Sequence, residues 1–398
     1  MYLDKISLKN IRGFENLEFS LKRPDGSYAG WTVFTGDNGS GKSTLLKAIA
    51  VGFVGAELRF FLEPNLGRWV RSTAAQGSIE LGVAHGPGDS ILTVRIYGTS
   101  VETFATAFSD RWFCCGYGPF RRVFGASPEA ARFMTAPTIE RFVTLFQEAA
   151  SLGEVDQWLR SLSHKALEGK KEDASVLKQL LEILGDELMP NGVKIDRVDS
   201  DGLWLLDRNG VQLAWSDMSD GYRSALALLV DIVRHLINAF GVKGLTKRDE
   251  NGRLYITPSG VVLIDEIDAH LHPEWQREIG FWLKRHFPNI QFLVTTHSPI
   301  ICQAADPNGL FVLPEPGSGD APRALTSEEY NEVIASRPDT ILRSAAFGLQ
   351  NTRSPVAVEA RAVHSQLMSK KRSGAKLTAA EKKKLGQTEL FAAADEEL

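Results

Sequence analysis

The chain has 398 residues, enough for one large α/β domain with insertions or for two domains, each with a sizeable core. Its 45 Lys and Arg against 49 Asp and Glu give a formal charge of −4, which excludes a global basic field and confines any nucleic-acid contact to a local patch. The three cysteines, with Cys114 and Cys115 adjacent, form neither a disulfide framework nor a Cys-x-x-Cys metal pattern, and there is neither a signal-like profile at Met1 to Lys5 nor a bilayer-length apolar run, so a cytoplasmic protein with no membrane partner is expected.

The first predicted element is a half-exposed β-hairpin. Ile6 and Leu8, then Leu17, Phe19 and Leu21, alternate with polar residues on either side of the turn Asn10-Ile11-Arg12-Gly13-Phe14. Trp31 to Thr35 reads as a buried strand and runs directly into Gly36-Asp37-Asn38-Gly39-Ser40-Gly41-Lys42-Ser43-Thr44. Four residues separate Gly36 from Gly41-Lys42-Ser43, the spacing of a nucleotide-binding P-loop. Glycines let the backbone curl so that successive N–H groups converge on phosphate oxygens. Lys42 supplies a mobile cation for the β- and γ-phosphates, and the Ser43 hydroxyl is placed to ligate Mg²⁺. The apolar helix that continues from Thr44 to Ala50 points its N-terminal dipole at the same phosphates.

The strands Ser78 to Val83 and Ile91 to Tyr97 extend this β-rich lobe. From about Ser127 to Pro190 the spacing turns helical, with Phe142, Leu145 and Phe146, then Val155, Trp158 and Leu159, then Leu177, Leu180 and Leu181. Short strands return at Val193 to Val198 and Leu203 to Leu206, followed by the turn Asp207 to Gly210. Ser219-Asp220-Gly221-Tyr222-Arg223 then opens a helix whose Leu229, Ile232, Val233, Leu236 and Phe240 keep a 3.6-residue period. Ser219 is expected to cap it, leaving exposed N–H groups and a dipole that suit an anion; an ordinary capped helix explains the same residues.

Val261 to Ile264 is a buried strand ending in Asp265-Glu266, so two carboxylates sit at a strand's carboxyl end, where open α/β sheets bind ligands. Asp265 can complete a Mg²⁺ shell, and Glu266 can orient and deprotonate a water attacking a γ-phosphate. Gln291 to Thr296 is a further buried strand leading to His297, which can donate to a γ-phosphate or be simply structural. Asp268, His270 and His272 admit a metal-cluster reading, although zinc asks for three or four ligands. Gly309 to Leu313 is the last predicted core strand, and beyond it no acidic cluster suggests a nuclease centre. The tail carries Lys370-Lys371-Arg372, Lys376 and Lys382-Lys383-Lys384, then Asp395-Glu396-Glu397; such a tail contacts phosphates or is a solvated end. Thr378 with Glu381 forms a capping-box pattern for a short helix that can dock a partner. No heptad run is present.

Taken in order, the P-loop, Ser219 to Arg223, Asp265-Glu266 and Thr296-His297-Ser298-Pro299 resemble the motif series of ABC-type P-loop ATPases. The resemblance implies an α/β P-loop NTPase head with a β-rich N-terminal lobe and an inserted α-helical region. It implies ATP and Mg²⁺ as cofactors, and a head-to-tail homodimer or higher homo-oligomer closed around ATP. Lys42, Ser43, Asp265, Glu266 and His297 would then act in cis, and Ser219 and Gly221, with Asp220 between them, in trans. Two further stretches narrow the family. Leu3 to Phe14 looks like the first strand and arginine loop of the RecF/SMC-like branch, a resemblance under which Arg12 would sense nucleotide or DNA. Asp265 to Pro273 is similar to the PtuA-like ATPases of bacterial anti-phage defence, Septu and retron-associated.

The resemblance covers roughly residues 1 to 60 and 200 to 315. Gly116 to Arg122 stands where a glutamine loop is expected and has no Gln, and His272 takes the place of the D-loop aspartate. The implied organisation is an N-lobe with Walker A at 1–125 and an inserted helical region at 126–191. A C-lobe with signature, Walker B and His switch follows at 192–325, then a helical, basic extension for partner docking at 326–398. The implied role is an ATP-hydrolysing sensor or regulatory subunit of a defence complex with a separate nuclease effector. DNA or RNA is a further candidate partner. The alternatives are a RecF-like repair or recombination ATPase that loads on DNA, and a subunit energising a transporter, which the missing Gln argues against.

Overall fold

Apolar runs without polar alternation, such as Trp31 to Phe34 and Val261 to Ile264, mark strands covered on both faces, and such strands form the centre of this protein. The computed structural model describes residues 1–58, 62–85, 88–98, 100–105, 112–121, 123, 137–148, 150–189, 192–315, 318, 320 and 322–393. It divides into two compact units, Met1–Phe347 and Gly348–Leu398.

The first unit opens with β1 (Tyr2–Ile11), β2 (Phe14–Ser20), β3 (Gly30–Thr35) and α1 (Lys42–Val54), followed by β4 (Gly77–His85), β5 (Gly88–Tyr97), β6 (Ser100–Ala105) and β7 (Cys114–Tyr117). Five of these strands make an antiparallel sheet in the order β2-β1-β4-β5-β6, and the hairpin register sets Leu8 opposite Leu17. The hairpin is less exposed than its alternation predicts. β4 pairs along the other edge of β1, so Ile6, Leu8 and Ile11 are completely buried.

Of the stretch expected to be helical from Ser127 to Pro190, residues 127–136, 149 and 190 lie outside the described residues. The rest forms α2 (Pro137–Glu140), α3 (Val143–Phe146), α4 (Glu154–Leu167) and α5 (Lys171–Gly185). A three-stranded antiparallel sheet follows, β8 (Lys194–Asp199), β9 (Gly202–Leu206) and β10 (Gln212–Ala214), and then α6 (Asp220–Phe240). After the small hairpin β11 (Thr246–Arg248) and β12 (Leu254–Ile256) come β13 (Gly260–Ile264), α7 (Pro273–His286), β14 (Ile290–Thr295), α8 (Pro299–Cys302), β15 (Leu310–Val312), β16 (Arg323–Ala324), α9 (Ser327–Ala335) and α10 (Pro338–Arg343). Gly309 to Leu313 holds the last core strand, β15, and one short strand follows it. β16 adds antiparallel to β15 at the sheet edge, too short at two residues to leave a period-2 pattern.

The central sheet has the order β16-β15-β3-β14-β13-β7, and the five strands from β15 to β7 run parallel. Successive side chains point to opposite faces, and each face meets its own apolar layer. On one face Phe34, Val261, Leu263 and Leu293 pack with Leu45 and Ile49 of α1 and Ile6 of the antiparallel sheet. On the other, Val33, Val262, Ile264 and Phe292 pack with Leu229 and Ile232 of α6 and with Ile279 and Trp282 of α7. Each fully buried side chain of this kind stabilises the fold by roughly 1.5–3 kcal/mol. The unit runs on past residue 325 because Val333 of α9 and Ile341 of α10 join the second of these layers.

The second unit is a pair of helices, α11 (Pro355–Arg372) and α12 (Ala379–Ala393). Ser354 caps α11 by accepting from Ala357 N, and Thr378 and Glu381 exchange the capping-box bonds their spacing predicts, at 2.7 and 3.2 Å. Asp395, Glu396 and Glu397 lie outside the described residues.

Candidate active site

Because β3, β14 and β13 are neighbours and parallel, the three segments leaving their carboxyl ends converge. The loop after β3 turns on Gly36, Gly39 and Gly41 at φ 138, 85 and 95. A Cβ on Gly36 would approach Ser40 Oγ to 2.8 Å and the Leu313 carbonyl to 2.9 Å, and one on Gly41 would approach Phe14 Cζ to 2.5 Å. The turn Asn10 to Phe14 is therefore joined to the P-loop through Phe14, a residue the sequence did not single out. Lys42 Nζ donates to the carbonyls of Gly36 (2.8 Å) and Asp37 (2.9 Å). Burial lowers its pKa, while the nearby carboxylates of Asp265, Glu266, Asp37 and Asp268 oppose that shift, which ties the lysine electrostatically to the segment after β13. Asp37, Asn38 and Gly39 are exposed, Ser43 and Thr44 half-buried. Ser40 Oγ is buried with no hydrogen-bond partner.

Asp265 is 2 % exposed at the end of β13. The Thr295 hydroxyl donates to its Oδ1 at 2.5 Å and accepts from Glu266 N at 2.8 Å, so one side chain of β14 sets both acidic residues. Glu266 has φ 45 and His270 φ 67, both left-handed. Asp268 accepts from Thr296 Oγ1 (2.5 Å) and His297 N (3.3 Å), which leaves the His297 side chain exposed at the same edge. Arg121, in the stretch after β7, sends its buried guanidinium to carbonyls of this segment. Arg122 lies outside the described residues.

Ser219 occupies the N-cap position of α6, yet its side chain makes no cap hydrogen bond, contrary to expectation. Asp220 pairs with Arg223 instead. Gly221 lies against the far end of the segment after β13, where a Cβ would come within 2.3 Å of the His270 carbonyl. A cavity of about 370 Å³ opens between Phe120, Asp220, Arg223 and His270. Arg12 stacks on Trp69, 4.1 Å from the ring centre, and faces Glu63 at 3.9 Å; burial lowers its pKa. His272 caps α7 by accepting from Glu274 N at 3.4 Å. Among the described residues, no group of three or more His, Cys, Asp or Glu is placed to hold a metal ion, which removes the Asp268, His270 and His272 cluster.

These residues fit a Mg²⁺-bound nucleotide. The loop curls at the positive φ of Gly36, Gly39 and Gly41, the orphaned Ser40 hydroxyl and the Lys42 ammonium are donors, and the Asp265 carboxylate is near enough to act on that ammonium. Sequence reasoning named Lys42, Asp265 and Glu266, which the structure brings to one edge of the central sheet. It missed Thr295 and Arg121, whose only signals were a Thr before Thr-His and an Arg in a loop noted for lacking Gln.

The family described as AAA domain, putative AbiEii toxin, Type IV TA system matches residues 31–303. The Septu protein PtuA of Bacillus mycoides (strain KBAB4) is 29% identical over 357 residues, covering 88% of this chain and 45% of that protein. The retron Ec83 probable ATPase of Escherichia coli is 37% identical over 135 residues, covering 34% of this chain and 23% of that protein. The retron Vc95 probable ATPase of Vibrio cholerae serotype O1 biovar El Tor is 39% identical over 109 residues, 27% of this chain and 19% of the relative. The chain thus spans less than half the length of these relatives. Among solved structures, an SMC head bound to the C-winged helix domain of ScpA superposes with a TM-score of 0.51 at 14% identity, covering 83% of this chain and 99% of that one, a likeness of fold.

Proposed function

The chain belongs to the family described as AAA domain, putative AbiEii toxin, Type IV TA system, and from that premise we propose that it is an ABC-type ATPase acting as the sensor or regulatory subunit of an anti-phage defence complex. The observation that carries the ATPase reading is the convergence of the P-loop, Asp265-Glu266 and Thr296-His297 at the carboxyl ends of three adjacent parallel strands, with the Thr295 hydroxyl joining the carboxylate pair. The likeness to a Septu PtuA and to retron ATPases supports the defence role.

In this reading Gly36 to Thr44 wrap the phosphates and Lys42 neutralises the β- and γ-oxygens. Mg²⁺, held by Ser43 and Asp265, would supply further charge neutralisation. Glu266 takes a proton from water as the water oxygen bonds to the γ-phosphorus, the bond to the bridging oxygen breaks, and ADP and phosphate leave. His297 donates to the γ-phosphate. Ser219, Asp220 and Gly221 of a second copy close the site, so that occupancy and assembly are one event. The nuclease effector is a separate chain and the location cytoplasmic; no helix among the described residues is long and apolar enough to cross a membrane. The partition at 1–125, 126–191 and 192–325, with the extension expected at 326–398 beginning instead at Gly348, and nucleotide sensing by Arg12, belong to the same proposal.

Glu266→Gln is the decisive variant. It should bind ATP like the wild type, turn over at least about 100-fold more slowly, and double its mass by light scattering when ATP is added. Lys42→Ala should neither bind ATP nor double its mass, and it should not turn over. Normal hydrolysis by Glu266→Gln removes the base assignment, and a monomer under ATP removes the sandwich. A second reading, a RecF-like ATPase that loads on DNA, is favoured by Lys370 to Arg372, Lys376 and Lys382 to Lys384, which flank the turn between α11 and α12.

A further inference from the structure

Arg121 is 3 % exposed. Its Nη1 donates to the carbonyls of Gly118 (3.0 Å) and Asp265 (2.9 Å), and its Nη2 to those of Glu266 (3.1 Å), Ile267 (3.3 Å) and Ala269 (3.2 Å). Four carbonyl dipoles from one short segment would repel one another without a cation between them, and a planar fork of donors is the side chain that can serve them together. That convergence coincides with the left-handed backbone at Glu266 and His270, a conformation that costs a non-glycine residue on the order of 1 kcal/mol and persists only where the surroundings impose it. Burial pulls the Arg121 pKa down to about 10, with Asp265, Asp268 and Glu266 opposing, so the group is a cation at neutral pH. On its other side the segment ends at the His270 carbonyl, against the first turn of α6, where Gly221 leaves no room for a Cβ.

We propose that Arg121 is a positioning residue: by gripping the carbonyls of Asp265 to Ala269 it holds the Glu266 carboxylate in register with its water and couples that register, through His270 and Gly221, to the helix that carries Ser219. The proposal rests on the reading of Glu266 as the base. It gives the stretch after β7 a function that its lack of Gln leaves open. Here the chain senses its own carboxylate segment through main-chain carbonyls.

The test measures ATP turnover, affinity for a fluorescent non-hydrolysable ATP analogue, and thermal unfolding of the full chain, for wild type, Glu266→Gln, Arg121→Lys and Arg121→Ala. Lysine keeps the charge and loses the fork. Arg121→Lys should lower kcat at least about tenfold while KM and analogue affinity move less than about threefold, and it should still unfold cooperatively. Arg121→Ala should fall further; where it does not fold, the lysine variant decides. A lysine variant with wild-type kcat overturns the proposal, as does one in which kcat, KM, affinity and melting deteriorate together, the mark of a purely structural arginine. If Glu266→Gln hydrolyses normally, the base assignment itself is wrong. If Glu266→Gln is dead and Arg121→Lys fully active, only this inference falls.

Discussion

The Thr295 hydroxyl serves the candidate catalytic edge both as donor and as acceptor, donating to Asp265 and accepting from the Glu266 amide. Valine at 295 keeps the shape and removes both bonds. It strands the buried Asp265 Oδ1 and the part-buried Glu266 N–H, at a cost of about 1–3 kcal/mol. Thr295→Val should therefore melt at a lower temperature and, with Glu266 less well held, turn over about tenfold more slowly, whereas Thr295→Ser should retain most activity. Equal rates for valine and threonine would show that the hydroxyl does not set the carboxylates. Thr295 and Arg121 were illegible in the chain for one reason. Their partners stand 30 and 144 residues away, whereas Lys42, Asp265 and Glu266 announce themselves through their immediate neighbours. Ser219 shows the converse limit, since a residue in the capping position need not make the capping bond.

At the scale of the element, α6 joins the candidate trans contact to a buried charge network. Asp231 accepts from Tyr117 Oη at 3.0 Å and from Arg234 Nε at 2.9 Å, and meets His235 at 3.2 Å; Arg234 also reaches Glu140 at 2.6 Å. Burial alone would raise the Asp231 carboxyl, but His235 and Arg234 reverse that and hold it well below the ordinary range. A carboxyl depressed in the folded state stabilises above its unfolded value, about 3.9, and that stability is lost as pH falls below it. Unfolding followed by circular dichroism should show stability falling steeply below about pH 4. Asp231→Asn should already be less stable at pH 7, by about 3 kcal/mol, with a shallower acid limb. An unchanged acid limb would remove Asp231 from the account. The helix itself was legible in its 3.6-residue period. The network was not, because Tyr117 reaches it only through the pairing of β7 with β13.

For the whole molecule, the described core residues of the central layers all precede Gly348, and α11 contains no buried residue. A chain ending at Phe347 should melt within about 3 °C of the full chain and keep its turnover within about twofold, while losing any ATP-dependent DNA binding. Binding that survives the truncation would move the DNA contact off the basic hairpin, and a truncated chain that fails to fold would deny the first unit its independence. The P-loop, the carboxylate pair, the α/β class and the capping box of Thr378 and Glu381 followed from residue order alone, because each is chemistry or geometry carried by residues close together in the chain. The burial of β1, the closing strand β16, the grip of Arg121 on Asp265 to Ala269 and the seat of Gly221 against His270 came from pairings between distant segments, and no local period or spacing encodes which segments those will be.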